Sequence, residues 1–524
     1  MLLILFWGFQ MSASVKSFFL TYSKFGKYKV SFPVKWDVDP FNNRNWCHNF
    51  VSLRWLKNHR DEEFRLAVLE DFYDFHIVRR RKNPYYSELR GDHTMAIRTS
   101  ELLLLVENFR QTGHEQGLAI CERLVKAEIL NMSRPAVYRS GHNHGLMLDM
   151  ALLKCGLAFP DLAVGVDVAM VVERAMKTLQ AMFIDSGYTK EHSASYQVFN
   201  AALAVDCVLL LKSYRVNSPA FESFVIRIAK ATETLARFFV RSSGECFPIG
   251  DSFRIMLGPQ FEKVMRHLGQ SVPLDADFYG APWQVDTNES LHVRDSFAAL
   301  RYASPTAGRW HLFFTCGWHS HNHKQNDEMA FCLEVDGQVI IDEVGYTEFV
   351  PWEMVLEHQK ETLQSNFSLI GLPWTDPKLA DGTSQILYVE NRQDEFSIAA
   401  EHQRMPGFIA SRVLAFNKSS QLRITDRLKT ITGKGFSQEL EHRFVMSPDL
   451  ELRLQDDHVL IAWDQIDRIR IRTDRGRGRW FLRDVPYVTA DRTIVSSTKM
   501  LVFVAVTDSQ AYVETEFLIE RLAL

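Results

Sequence analysis

Helices first and strands second is the organisation the sequence predicts: an α+β multidomain chain, helical in its first half and antiparallel β in its second. Three observations predict it. At 524 residues the chain is too long for one hydrophobic core, so two domains or more are expected. From about Asp61 to Gly244 apolar residues recur at spacings of three and four, the period of an amphipathic helix. Past about Asn288 the apolar residues alternate in short runs rich in Val, Ile, Phe and Tyr, the period of a half-buried strand.

The helical pattern falls on 96–109, 117–130, 166–183, 196–214 and 221–239. Gly113, Arg134-Pro135, Phe159-Pro160, Ser186-Gly187 and Ser218-Pro219 break it, because Pro cannot continue a helix and Gly tolerates the left-handed turn that ends one. Amphipathic helices with short connections read as antiparallel hairpins of a bundle, a solenoid or a closed α/α toroid. The strand pattern falls on 297–303, 310–316, 329–335, 338–342, 396–402, 412–416, 421–428, 459–463, 468–473 and 500–506. Asp336-Gly337, Asn417-Lys418-Ser419-Ser420 and Thr432-Gly433 punctuate them as turns. An antiparallel sandwich is the simplest assembly of such strands. The join lies at about 280–295, so the expected division is an N-terminal segment 1–30, a helical domain 31–285 and a β domain 286–524.

Composition narrows the partners. The 60 Lys and Arg nearly balance 64 Asp and Glu, for a net charge of -4, which argues against nucleic acid or an anionic membrane as the main partner. A locally basic cleft for a polyanion stays compatible with that balance. Arg79-Arg80-Arg81-Lys82 is a basic run that reads as a solvated face. Seven scattered cysteines without a CxxC suit buried free thiols rather than a disulfide framework or a zinc knuckle. Leu2 to Phe9 is apolar, but no basic residue precedes it and it is too short to span a bilayer. A signal peptide and a start at Met11 explain it equally.

Three clusters could carry chemistry. Gly141-His142-Asn143-His144-Gly145 stands before the apolar stretch 146–157. Asn143 can cap that helix, and donors gathered at a helix N-terminus can also seat a carboxylate or oxyanion. Glu191-His192-Ser193-Ala194-Ser195-Tyr196-Gln197 leads into the next long helix, with Ser193 or Ser195 as its cap and Tyr196 in the core on the plainest reading. Trp318-His319-Ser320-His321-Asn322-His323-Lys324-Gln325-Asn326-Asp327-Glu328 stands between two strands and is followed by Asp342-Glu343-Val344-Gly345-Tyr346. Alternating histidines can ligate a metal or simply lie in an exposed loop. Phosphate-loop, dinucleotide and GxSxG patterns are absent, and carboxylate pairs for glycoside hydrolysis carry little weight among 64 acids.

These clusters, in this order, resemble the heparinase II/III-like polysaccharide lyases, alginate lyases of the same architecture included. Asn143-His144-Gly145 resembles that family's catalytic Asn-His-Gly segment, and Tyr196 its catalytic tyrosine. Phe247-Pro248-Ile249-Gly250-Asp251-Ser252 is similar to its Gly-Asp segment. The stretch from His323 to Phe331, with Asp342 to Tyr346, resembles the HxHxD…DxGxY pattern that opens its β domain, and Trp36 to Pro40 with Asn45-Trp46 also resembles the family. The resemblance implies an incomplete α/α toroid followed by an antiparallel β-sandwich, with a cleft between them. It implies β-elimination on a uronic-acid-containing polysaccharide such as a glycosaminoglycan, alginate or bacterial exopolysaccharide. Asn143, His144, Tyr196 and His323 are then the expected catalytic residues, and His192 and Tyr346 the expected substrate contacts.

Two positions depart from the family pattern. Gln325 stands where the second His of HxHxD belongs, and Ser365-Asn366-Phe367 where a later His-Asn-Thr is common. Members that bind a structural zinc use those histidines with the Asp kept here as Asp342, so no metal cofactor is expected, a structural zinc or calcium entering only if His319, His321 or His358 substitutes. The expected partner is an acidic polysaccharide, with neither nucleic acid nor integral membrane contact. The compartment is periplasmic or extracellular by resemblance and cytoplasmic if no leader is present. A non-catalytic polysaccharide-binding or biosynthesis-associated relative, and more distantly a toroidal glycoside hydrolase, are the competing readings.

Overall fold

The computed structural model describes residues 17–22, 25–59, 61–79, 91–255, 257–270, 287–320, 322–347, 350–351, 353–354, 364–376, 382–490, 494–507 and 509–522. The apolar run 2–9, Arg80 to Lys82, His321 and His358 lie outside these residues. The chain folds into two compact units. One comprises Met1–Met182, Asp206–Ser218 and Phe349–Trp352; the other comprises Phe183–Val205, Pro219–Glu348 and Glu353–Leu524.

Helices dominate the N-terminal region. Numbered in chain order, the α-helices among the described residues are α1 (Arg44–Val51), α2 (Glu62–Tyr73), α3 (Asp92–Thr112), α4 (Glu115–Met132), α5 (Asn143–Ala158), α6 (Val168–Met182), α7 (Ala194–Ser213), α8 (Pro219–Phe239) and α9 (Pro259–His267). Local chemistry sets their ends. The Asn43 side chain accepts from Asn45 and Trp46 N–H at the start of α1, and Asp61 accepts from Phe64 N–H at the start of α2. Gly113, at φ +72°, closes α3 in the left-handed conformation that only glycine adopts freely. Helix α7 is long and apolar enough to cross a membrane by composition, yet 61% of that window is buried within the fold, as in a core helix.

Strand β1 (Ser17–Leu20) pairs with β2 (Tyr28–Ser31) near the N-terminus, and two larger antiparallel sheets make the C-terminal region. The first runs β17 (Gly478–Val488), β18 (Ile494–Ala505), β13 (Leu440–Met446), β7 (Gln338–Asp342), β6 (Phe331–Val335), β5 (Gly308–Thr315), β4 (Phe297–Ser304) and β3 (Asn288–Val293), with β8 (Phe367–Leu369) also paired to β13. The second runs β14 (Glu451–Leu454), β15 (His458–Trp463), β16 (Ile466–Arg475), β19 (Tyr512–Arg521), β12 (Gln421–Thr430), β11 (Phe408–Asn417), β10 (Glu395–His402) and β9 (Ser384–Asn391). Leu312, Phe314, Leu333, Phe444 and Leu501 of the first share one buried cluster with Ile398, Leu414, Ile424, Ile471 and Phe517 of the second. Each such fully buried side chain contributes about 1.5–3 kcal/mol of transfer free energy. The sandwich core is therefore what fixes the register of both sheets. All seven cysteines are buried and form no disulfide.

One departure from the strand pattern bears on the site. The run expected at 329–335 enters the sheet only at Phe331, because Met329 sits at φ +59° and Ala330 N–H turns back to Asp327 O. The residues before it therefore form a loop rather than a strand. Within the same unit, the chain leaving α8 is tied to the first sheet. His311 of β5 donates from Nε2 to Phe238 O at 2.8 Å, and the Glu334 carboxylate on β6 accepts from Ser242 N–H at 3.3 Å.

Candidate active site

The first cluster lies where α3 and α5 begin. His142, not Asn143, caps α5: its backbone is extended and its ring accepts from His144 N–H at 3.1 Å. This corrects the expected cap and makes Asn143 the first helical residue. Asn143 is buried, and its Oδ1 has no hydrogen-bond partner among the described residues. Gly145 is required by a close approach, since a Cβ there would meet Arg139 O at 2.1 Å. His144 Nδ1 lies 2.9 Å from Asp92 Oδ1, and Arg139 Nε lies 2.9 Å from Asp92 Oδ2. The His93 ring stacks on His144 at 4.2 Å, and His48 stacks on His93 at 4.0 Å. Burial lowers the His144 pKa, and the Asp92 hydrogen bond only partly offsets this. Burial pushes the Asp92 pKa up, but the hydrogen bonds from His144 and His93 outweigh it and hold the carboxyl well below the usual range. An ionised Asp92 makes His144 Nδ1 the protonated nitrogen of a neutral ring.

The second cluster forms at the start of α7. Ser193 Oγ accepts from Tyr196 N–H at 3.4 Å and lies 3.0 Å from Ser252 Oγ, while Ser195 Oγ accepts from Phe253 N–H at 3.1 Å. These serines tie the head of α7 to the 250–254 loop. The Tyr196 ring stacks on His323 with centroids 3.5 Å apart and planes 22° from parallel. His323 Nδ1 lies 3.0 Å from Asp251 Oδ2, and its Nε2 lies 3.9 Å from Glu191 Oε2. Burial raises the Glu191 pKa against the pull of His323. His323 adopts φ +55°, a left-handed backbone uncommon outside glycine and often found where a site constrains the chain. A phenol and an imidazole held face to face, with a carboxylate behind the imidazole, form a set able to take and give protons.

Buried ion pairs hold the loop that carries His323. Lys324 pairs with Asp327 and lies 3.2 Å from Glu328, whose carboxylate also takes the Arg404 guanidinium at 2.7 and 2.8 Å. Lys324, Asp327, Glu328 and Arg404 are all buried, so each charge depends on its partners. His192 is fully buried, and its Nε2 accepts from His319 N–H at 2.9 Å. The side chain expected as a substrate contact therefore sits inside the fold and fastens this loop. Tyr346 is 8% exposed and packs against Phe253 at 5.4 Å.

The positions aligned with a zinc site do not fit a metal. Asp342 Oδ2 already meets Arg254 Nε at 3.2 Å, Arg241 at 3.4 Å and the Tyr487 hydroxyl at 2.9 Å. Gln325 donates its amide to Asp251 and accepts from Gln364, and Asn366 Oδ1 accepts from Arg443. An Asp neutralised by two guanidiniums has no charge left to offer a dication. Elsewhere, Asp92, His93 and His144 each bring a ligand atom within 4.8 Å of the others, but Arg139 occupies the same carboxylate.

The structure thus places His144 with Asp92, His93 and Arg139, and Tyr196 with His323, Asp251 and Glu191. Sequence reasoning passed over Asp92, His93 and Arg139 altogether. Asp92 and His93 lie far upstream and become neighbours of His144 only through the packing of α3 beside α5. Asp251 was visible only as part of a Gly-Asp resemblance, without a role.

Residues 291–503 match the family model described as Heparinase II/III-like, C-terminal. The fold is similar to that of a heparinase III crystal structure, with 13% identity, a TM-score of 0.75, and coverage of 93% of this chain and 79% of that one. It is also similar to the heparan sulfate lyase of Pedobacter heparinus, with 12% identity, a TM-score of 0.63, and coverage of 97% and 82%. A third similar structure is the Streptomyces coelicolor A3 chondroitin AC lyase in complex with chondroitin sulphate, with 8% identity, a TM-score of 0.53, and coverage of 92% and 74%. No curated protein matches the sequence. The chain resembles the heparinase II/III-like lyases in sequence over its β half and in fold over nearly its whole length. Its fold is theirs, a helical toroid region followed by an antiparallel β-sandwich.

Proposed function

We propose that the protein is a polysaccharide lyase that cleaves a uronic-acid-containing polysaccharide by β-elimination, leaving a 4,5-unsaturated uronate end. The observation that carries this reading is the Tyr196 ring on His323, with Asp251 at the far nitrogen of the imidazole. Elimination breaks the C5–H bond, and a base takes the proton. The electron pair forms the C4–C5 double bond, the C4–O4 bond breaks, and O4 takes a proton from an acid. Tyr196 and His323 divide these two transfers between them. The C5 proton is weakly acidic until the charge that develops on the neighbouring carboxylate is stabilised.

We assign that stabilisation to Asn143, at the positive end of α5, and to His144. With Nδ1–H directed at Asp92, His144 donates from Nε2 only as the imidazolium. A bound uronate carboxylate raises its pKa in that direction. His192 serves by holding His319, and Tyr346 by packing on Phe253.

The test is ultraviolet absorbance of the protein mixed separately with heparin, heparan sulfate, chondroitin, hyaluronan, alginate and polyglucuronate. Elimination creates a conjugated uronate, which hydrolysis cannot. The expected result is a rise on one of these polymers, abolished in Tyr196→Phe and in Asn143→Ala. Binding to a polymer with no rise would replace the lyase with a non-catalytic polysaccharide binder, and a saturated product would indicate a hydrolase.

A further inference from the structure

Behind His323 stands a chain of three hydrogen bonds that converges on the Asp251 carboxylate, which accepts from Gln325 on one oxygen and from His323 on the other. Gln364 Nε2–H donates to Gln325 Oε1 at 3.1 Å. Gln325 Nε2–H donates to Asp251 Oδ1 at 2.8 Å. Asp251 Oδ2 lies 3.0 Å from His323 Nδ1. Gln364, Gln325 and Asp251 are buried, while His323 is partly open to solvent. We propose, resting on the lyase reading above, that Gln325, backed by Gln364, is a positioning residue: it pins Asp251 and thereby fixes which nitrogen of His323 carries the proton.

The direction of the chain follows from the groups themselves. An ionised carboxylate only accepts, so Gln325 must present its amide nitrogen to Asp251, and its oxygen is left to accept from Gln364. A carboxylate free to rotate about its Cβ–Cγ bond could turn either oxygen toward the imidazole or away from it. With Oδ1 held by the Gln325 amide, Oδ2 stays in line with Nδ1. The backbone before Asp251 is itself closely packed, since a Cβ at Gly250 would meet His192 O at 2.0 Å. With Nδ1–H directed at Asp251, Nε2 carries the lone pair of the neutral ring. Among the described residues the Glu191 carboxylate also faces this ring, 3.9 Å from Nε2, and the Tyr196 phenol lies against its face. Without the clamp, the imidazole could take the opposite tautomer and present an N–H where the reaction needs an acceptor. Orienting partners of this kind alter activity by about 10–100-fold when removed.

The test is Gln325→Met, which keeps the length of the side chain and removes both hydrogen bonds. Long-range proton–nitrogen spectra of 15N-histidine-labelled protein report the tautomer of His323, whose signals are identified by their loss in His323→Ala. In the wild-type protein the Nδ1–H tautomer should dominate. In Gln325→Met the two tautomers should mix, with kcat reduced about tenfold or more and KM within about twofold. Gln325→His, which can still donate a ring N–H to Asp251, should restore the wild-type tautomer and most of kcat. An unchanged tautomer and kcat within about twofold in Gln325→Met would overturn the proposal. Should Gln325→Met fail to fold, Gln364→Met tests the same chain one bond further back, with a smaller shift expected in the same direction. If the wild-type protein eliminates no polymer, the lyase reading fails, whereas the tautomer spectra still decide the role of Gln325.

Discussion

Replacing Gly250 with alanine tests whether one glycine sets the geometry behind His323. Gly250 has φ +62°, and a Cβ there would lie 2.0 Å from His192 O and 3.6 Å from Asp327 Oδ2. A relaxed carbon–oxygen contact sits at about 3.3–3.6 Å, so one of the two backbone segments must move by more than about 1 Å. The left-handed conformation costs alanine about 1–2 kcal/mol. Forcing a methyl group into a packed site costs about 1–3 kcal/mol more. The expected destabilisation is therefore about 2–5 kcal/mol. Gly407→Ala is the control, because Gly407 has φ +86° and nothing within 4 Å of its Cβ position. The entropy that alanine removes from the unfolded chain is common to both variants and cancels in their difference. Guanidinium unfolding of the two variants isolates the steric contribution. The substitution should also move Asp251 off His323 and abolish any elimination activity. If Gly250→Ala unfolds no earlier than Gly407→Ala, the close approach of the two segments is not a real constraint and the reasoning fails.

Two further predictions concern the buried charges beside this site. Arg254→Met removes a guanidinium that binds Asp342 at 3.1 and 3.2 Å, and leaving that carboxylate short of charge should cost about 3–5 kcal/mol. Adding Asp342→Asn should recover part of the loss, and purely additive unfolding energies in the double variant would refute the coupling. Burial raises the Glu343 pKa well above the usual carboxyl range, opposed by its hydrogen bond from Ser365 N–H and reinforced by Asp327 and Asp342. Because the folded pKa lies above the unfolded one, the contribution of Glu343 is complete below about pH 4.3 and is lost as pH rises toward the folded value. Glu343→Gln should therefore match or exceed wild-type stability at neutral pH and flatten the fall in melting temperature with rising pH. A variant less stable than wild type at neutral pH would show that the native protein needs the charged carboxylate.

The sequence made the order of helices and strands plain because both periods are strong where one face of an element is buried. Strand β11 alternates buried and half-buried residues, and its period is legible. Strand β13 is buried along its whole length, and Glu441, His442 and Arg443 interrupt its apolar run, so neither alternation nor a continuous hydrophobic stretch marks it. In β17 the register shifts between Val485 and Tyr487, which breaks the period at Pro486. Local motifs were legible because each is contiguous in the chain: Asn143-His144-Gly145 at the start of α5, and the His323 loop. Their supports were not. Asp92 comes to His144 across 52 positions, and Asp251 to His323 across 72.

The metal question shows how far such distance limits sequence reading. Gln325 and Asn366 could be seen to lack imidazoles, but nothing local to Asp342 says what neutralises it. The answer is supplied by Arg241 and Arg254, which reach Asp342 across 101 and 88 positions. A guanidinium pair and a dication can both compensate one buried carboxylate, but they differ in what they leave behind. The arginines bring their own directed donors, which Arg254 spends on the backbone carbonyls of Glu343, Val344 and Val488. The same side chains therefore neutralise the aspartate and stitch β7 to the end of β17. A metal held by side chains alone would not make that second connection, which is why a chain that carries both arginines has no structural need for the ion.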